Sequence, residues 1–269
     1  MINVKWTGAA GLEFCYDGGT VLVDPYYSRI SKFRMFFGKV APDADLIKNV
    51  CLDTGKVNAV IVGHSHFDHV MDIPCFAEYL DCMLIGNDSL SALMERHGMS
   101  ERVFVCKGRE TVKIDDAVSV KMIPSEHGRV VLGRVPFSGE ISRVGTLPMK
   151  ASDYRHGTVF APLLNIAGKT FLHLGSSGYI GHELEGCSCD VLFLCVPGWK
   201  KTKDYPERVL ELTTPECVVL FHYDDFFKKY NGRTDKLKFL DMETMVSRIK
   251  EHSPGVDIIT PDLFESLEF

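Results

Sequence analysis

The chain has 269 residues, 45% of them hydrophobic, and carries a formal net charge of −6. That is enough apolar material for a sizeable core, arranged as one large domain or two small ones, and the acidic balance excludes a general nucleic-acid binder, which carries a basic excess. Nine cysteines, an odd number without framework spacing, argue against a disulfide-stapled secreted scaffold. Residues 1–6 lack the apolar stretch of a signal peptide and no apolar run is long enough to span a bilayer, so a cytoplasmic location is expected.

In chain order, residues 2–7, 11–16 and 20–24 alternate between apolar and polar and are punctuated by Gly8, Gly11 and Asp17-Gly18-Gly19. They predict a β-meander. Residues 29–39 combine four cations with Phe33, Phe36 and Phe37, which suits either a flap over a site or a loop whose aromatics cap the sheet edge while its charges stay solvated, with a membrane-surface contact or a dimer interface as further uses. Residues 57–62 read as a buried strand, and a helix over 73–80 comes after it, with Asp72 as its cap and Pro74 in its first turn. Strand 82–85, helix 88–97 and strands near 102–106, 111–114 and 117–123 come next.

Residues 124–157 carry eight glycines and prolines with little periodicity, and a loop this long is usually functional or mobile. Within it, Arg129, Arg134, Arg143, Lys150 and Arg155 outnumber Glu140 and Asp153. Strands 158–167 and 170–174 then form a hairpin, succeeded by a helix near 179–185 and a buried strand at 190–196. Helix 204–213, strand 216–221, a helix over 235–251 and a strand at 256–260 complete the reading.

The chemistry is concentrated in His64-Ser65-His66-Phe67-Asp68-His69, directly behind the strand 57–62. Alternate residues at a strand end point the same way, so His64 and His66 can chelate one ion while Asp68 and His69 face a second position. Neutral imidazole and carboxylate suit zinc, manganese or iron. Other histidines are weaker candidates. His97 reads as a helix C-terminal partner, and His182 and His252 read as helix-surface residues. His156 and His173 are open to substrate contact or to structural hydrogen bonding. The turn Gly175-Ser176-Ser177-Gly178 is not a serine-nucleophile elbow, because Tyr179 occupies the last glycine position, but a phosphate cradle there is open.

With this motif the chain resembles the metallo-β-lactamase superfamily of metal-dependent hydrolases, and three further landmarks stand in the family's order: Asp24 ending the strand at 20–24, His127 after residues 123–126, and His222 after the strand at 216–221. The resemblance implies an α/β fold, a four-layer αββα sandwich of two mixed sheets flanked by helices. It implies a single domain over 1–269, with similar halves at about 1–123 and 158–269 joined by the basic loop. The implied first metal site is His64, His66 and His127, and the second is Asp68, His69 and His222. Where the family places a bridging Asp after His-x-Gly, this chain reads His173-Leu174-Gly175-Ser176. A neutral hydroxyl replaces a carboxylate there, so the second site is expected to be the weaker.

The resemblance also implies a hydrolase holding one or two ions, zinc first and manganese or iron as alternatives. A metal-bound hydroxide would attack a small anionic ester, lactone or phosphodiester. Asp68 would orient the hydroxide or shuttle its proton, and Ser176 would hydrogen-bond the metal-bound water. Candidate substrate contacts are Arg129, Arg134, Arg155, His156 and Phe36. The alternative is a non-catalytic metal- or ligand-binding sensor that lost efficient chemistry with the bridging carboxylate. A homo-oligomer is open.

Overall fold

The computed structural model describes residues 1–238 and 240–269. Asn3–Gly8 (β1), Gly11–Tyr16 (β2) and Gly19–Val23 (β3) form the antiparallel meander that their alternation predicts. Lys32–Phe37 (α1) and the short strand Lys39–Val40 (β4) lead to Ala44–Thr54 (α2) and Val57–Ile61 (β5). Phe67–Val70 (α3), Ile73–Tyr79 (α4), Met83–Gly86 (β6), Asp88–Arg96 (α5) and Val103–Val105 (β7) succeed them. β5, β6 and β7 extend the meander as parallel strands beyond β3.

Thr111–Lys113 (β8), Val118–Ser125 (β9), Met149–Lys150 (β10), Val159–Ile166 (β11) and Lys169–Leu174 (β12) come next. The chain continues through Gly181–Leu184 (α6), Val191–Cys195 (β13), Glu207–Thr213 (α7), Cys217–Phe221 (β14), Met242–His252 (α8), Asp257–Ile259 (β15) and Ser266–Glu268 (β16). The two large sheets have seven strands each, in the orders β16-β1-β2-β3-β5-β6-β7 and β15-β14-β13-β12-β11-β9-β8.

Strand parity builds the layers, because successive side chains point to opposite faces. On β3 and β5, Val21, Val23, Ala59 and Ile61 face the second sheet and pack with Val120, Met122, Leu164 and Phe171. Their neighbours Leu22 and Val60 face the other way and pack under Ile47, Phe76, Leu90 and Leu93 of α2, α4 and α5. On the far side, Val209, Leu210, Met245 and Ile249 of α7 and α8 join the core of the second sheet. The result is a four-layer αββα arrangement of two mixed sheets, as expected. Each fully buried aliphatic side chain contributes about 1.5–3 kcal/mol. At the centre, Phe14 meets the edges of Phe171 and Phe193 at 5.2 and 5.8 Å, and truncating it to Ala would cost about 3–5 kcal/mol.

Several expectations need correcting. β8 and β9, assigned to the first half, pair in the second sheet, because β9 lies along the whole of β11. The flap 29–39 is a short helix and a strand, with β4 pinned to β10 of the basic loop. Helix α2 and strand β16 were not anticipated. The helix expected over 235–251 starts at Met242, where the Asp241 carboxylate caps it by accepting from the Thr244 N–H at 3.1 Å. Asp72 makes no side-chain cap on α4; its carboxylate instead accepts from the Tyr27 and Ser28 N–H groups at 2.7 and 3.0 Å. Among the described residues no helix is long and apolar enough to cross a membrane.

Candidate metal centre

The cluster forms where strands of both sheets end at one edge. β5 runs into Gly63-His64, and Ser65 fixes the turn: its N–H donates to the His156 carbonyl at 2.9 Å and its hydroxyl to Asn87 Oδ1 at 2.7 Å. His66 is the N-cap of α3, so Asp68 and His69 sit in the first turn of that helix. From the second sheet, His127 comes after β9 and His222 after β14. His222 has φ +65, a left-handed conformation costly for a residue with a side chain.

Three ligand-type groups converge, each with its donor atoms within 4.8 Å of one another: His64, His66 and His127; Asp68, His69 and His222; and Asp24, His64 and His69. His64 Nε2 lies 3.2 Å from His66 Nδ1. Asp68 Oδ2 lies 3.6 Å from His222 Nε2 and 3.9 Å from His69 Nε2. Three of the outward ring nitrogens face oxygens of the surrounding protein. His66 Nε2 is 3.1 Å from the Pro136 carbonyl, His127 Nδ1 is 2.7 Å from the Gly128 carbonyl, and His69 Nδ1 is 2.8 Å from Asp24 Oδ2. An N–H directed outward leaves the inward nitrogen a bare lone pair, the tautomer a cation requires.

Electrostatics agree with that reading. Burial pushes the pKa values of His64, His66 and His222 well below the usual imidazole value and that of His127 down to about 4, so these rings are neutral. His69 differs: burial opposes its charge, but the Asp24 and Asp68 carboxylates outweigh burial and raise its pKa. Burial also raises the Asp68 carboxyl. With their outward nitrogens turned to carbonyl oxygens, His66 and His127 direct bare lone pairs into a volume that also holds the Asp68 carboxylate. A divalent cation fits this donor set, since it satisfies the inward lone pairs and offsets the buried carboxylate charge.

Asp24 was recognised only as a strand end, yet it supports the site. At φ +45 it accepts from the Gly63 N–H at 2.7 Å through Oδ1 and aims Oδ2 at His69. Its Oδ2 would meet a Cβ on residue 175 at 3.0 Å, with His173 Cε1 at 2.7 Å, so glycine there permits the close approach. His173 is buried beneath, its Nε2 2.8 Å from the Ala10 carbonyl, in a structural role. Ser176 Oγ accepts from the Gly128 N–H at 2.9 Å, which ties it to the His127 loop and leaves its own O–H free to donate.

A cavity of about 1070 Å³ opens over the cluster, and Phe36, Arg134 and Ser176 line it together with His66, Asp68, His69, His127 and His222. Arg129 and His156 line an adjoining cleft of about 620 Å³ that shares His127. Arg155 borders neither; its guanidinium donates to the Ser138 carbonyl at 2.6 Å. Arg143 pairs with Glu95 across the surface.

Residues 20–223 match the family profile described as the Beta-lactamase superfamily domain. A metal-dependent hydrolase from Pelotomaculum thermopropionicum is 27% identical over 63% of this chain and 68% of its own length. One from Methanopyrus kandleri is 25% identical over 84% of this chain and 85% of its own. Among solved structures, Igni18, a metallo hydrolase from the archaeon Ignicoccus hospitalis, superposes with a TM-score of 0.64 at 15% identity, covering 100% of this chain and 99% of that one. With three quarters of its length inside the family profile and a fold to match, the chain belongs to the beta-lactamase superfamily.

Proposed function

We propose that the protein is a metal-dependent hydrolase that cleaves an ester, lactone or phosphodiester bond carrying an anionic group. The observation that supports this reading best is the convergence of five imidazoles and Asp68 on one small volume at the floor of an open cavity. His64, His66 and His127 would hold one ion, and Asp68, His69 and His222 a second, weaker one, because Ser176 offers no charge where a bridging carboxylate would stand. The donor set favours zinc, with manganese or iron as alternatives. A divalent cation so held supplies a water of lowered pKa and polarises the electrophile.

The chain's own groups do the rest. Asp68 Oδ2, which lies 3.9 Å from His69 Nε2 and 3.6 Å from His222 Nε2, would take the proton of the attacking water and return it to the leaving group. The Ser176 O–H orients the oxygen, and Arg134 on the cavity wall meets the substrate's anionic group. Arg129 and His156 in the adjoining cleft offer a further contact to a leaving group.

The test is metal analysis of protein purified without chelator, together with a screen of esters, lactones and phosphodiesters. Turnover should vanish with chelator and return with metal. His64→Ala should lose metal and turnover together, whereas Asp68→Asn should keep first-site metal and lose about 10²–10⁴ in rate. Stoichiometric metal without turnover on any of these substrates would favour the sensor reading instead.

A further inference from the structure

The cavity above the cluster differs in character from its floor. Apart from the ligand-type residues and Ser176, its wall is almost wholly apolar, running from Met35 and Phe36 of α1 through Val130, Leu132 and Phe137 of the basic loop to Leu240. Arg134 and Lys238 are the cations on it. Several of these apolar groups are unpacked at the mouth: Phe36 is 69% exposed, Val131 51% and Leu132 97%. α1 buries none of its residues against the body of the protein. Large apolar side chains held open around a deep cavity are unfavourable in water unless something apolar covers them. At about 1070 Å³ the space is at the upper end of ordinary ligand cavities.

We propose that the scissile bond belongs to an amphipathic substrate with a medium-to-long acyl or alkyl chain. The chain lies along the Met35, Phe36, Val130 and Leu132 wall, and the polar end reaches the histidine cluster. Two cations on an otherwise apolar wall suit one anionic group close to the reacting bond and a hydrocarbon body beyond it. This rests on the hydrolase reading, and it replaces a small substrate with a lipophilic one.

The experiment is a series of p-nitrophenyl esters from acetate through hexanoate to decanoate, below their micellar concentrations, on metal-loaded protein. In parallel, calorimetry compares the binding of free acetate and decanoate. kcat/KM should rise with chain length, by up to about fourfold for each methylene fully buried, and decanoate should bind where acetate does not. Phe36→Asp and Leu132→Asp should flatten both trends, while Leu52→Asp, an exposed position on α2 away from the cavity, should leave them in place. Turnover with no chain-length trend, or a trend that Phe36→Asp and Leu132→Asp do not alter, overturns the proposal and leaves the hydrolase reading standing. Decanoate binding that these two variants weaken, with no turnover of these esters or of the lactones and phosphodiesters in the wider screen, supports the apolar site and sinks the hydrolase reading.

Discussion

Asp224→Ala should be among the most destabilising single changes in this protein. Asp224 and Arg29 form an ion pair with side chains 1% and 4% exposed. The guanidinium also donates to the Thr7 carbonyl at 3.2 Å, and Asp224 Oδ1 accepts from the Ala9 N–H at 2.9 Å. Truncation leaves a buried guanidinium without its counter-charge and the Ala9 N–H without an acceptor. Removing one partner of a buried pair costs about 3–5 kcal/mol. For a chain of this size 1 kcal/mol shifts Tm by about 2–4 °C, so a fall on the order of 6–20 °C is expected. Thermal melts and urea titration followed by circular dichroism measure both quantities. The double variant Arg29→Met with Asp224→Asn removes the charge while keeping an acceptor for Ala9, and should recover much of the loss. A loss below about 1 kcal/mol for Asp224→Ala, or a double variant no more stable than the single one, would refute the argument that an uncompensated charge sets the cost.

Ser176→Asp should raise affinity at the Asp68, His69 and His222 group, read as a second equivalent in metal titration; an unchanged stoichiometry counts against the missing-bridge argument. Gly178→Ala would place a Cβ 2.2 Å from the Glu126 carbonyl oxygen, a backbone clash that must displace the His127 loop. It should weaken first-site metal binding and lower Tm, and parental values for both would show that the loop yields freely. Burial raises the Asp72 pKa to about 6 in the folded protein, so Asp72 keeps its proton over a range where the unfolded chain has lost it. Its contribution is therefore most favourable below pH ~4 and declines as pH rises through about 6, by about 3 kcal/mol in all. Asp72→Asn should remove that slope, and the difference between parent and variant in urea titrations from pH ~4 to ~7 checks it.

Four of the ligand-type residues were legible because one turn behind a strand carries them all, and strand parity alone places His64 and His66 together. The rest depended on pairing at a distance. Alternation identifies β9 as a strand but does not say which sheet it joins, since register and partner are set by the core it meets. α2 escaped notice because only Ile47 and Cys51 are buried along it, too sparse a stripe to stand out. The basic loop shows how a charge count misleads. Five cations read alike in sequence, yet Arg134 turns to the cavity, Arg129 to the next cleft, Arg143 to Glu95 and Arg155 to a carbonyl. The Asp24 role and the Arg29–Asp224 pair join residues far apart in the chain, and composition carries no trace of either.

The histidine cluster draws its members from both sheets: the hexapeptide from the first, His127 and His222 from the second. An ion held between them acts as a cross-link that closes long stretches of chain, comparable in kind to a disulfide placed between the two halves of the sandwich. The two sheets would then share one fate. Because the ion binds only the folded arrangement, each tenfold excess over its dissociation constant adds about 1.4 kcal/mol to stability. Stripping it should loosen the strand ends of both sheets at once, visible as faster amide exchange after β5, β9 and β14 together, while the far ends of the same strands keep their protection.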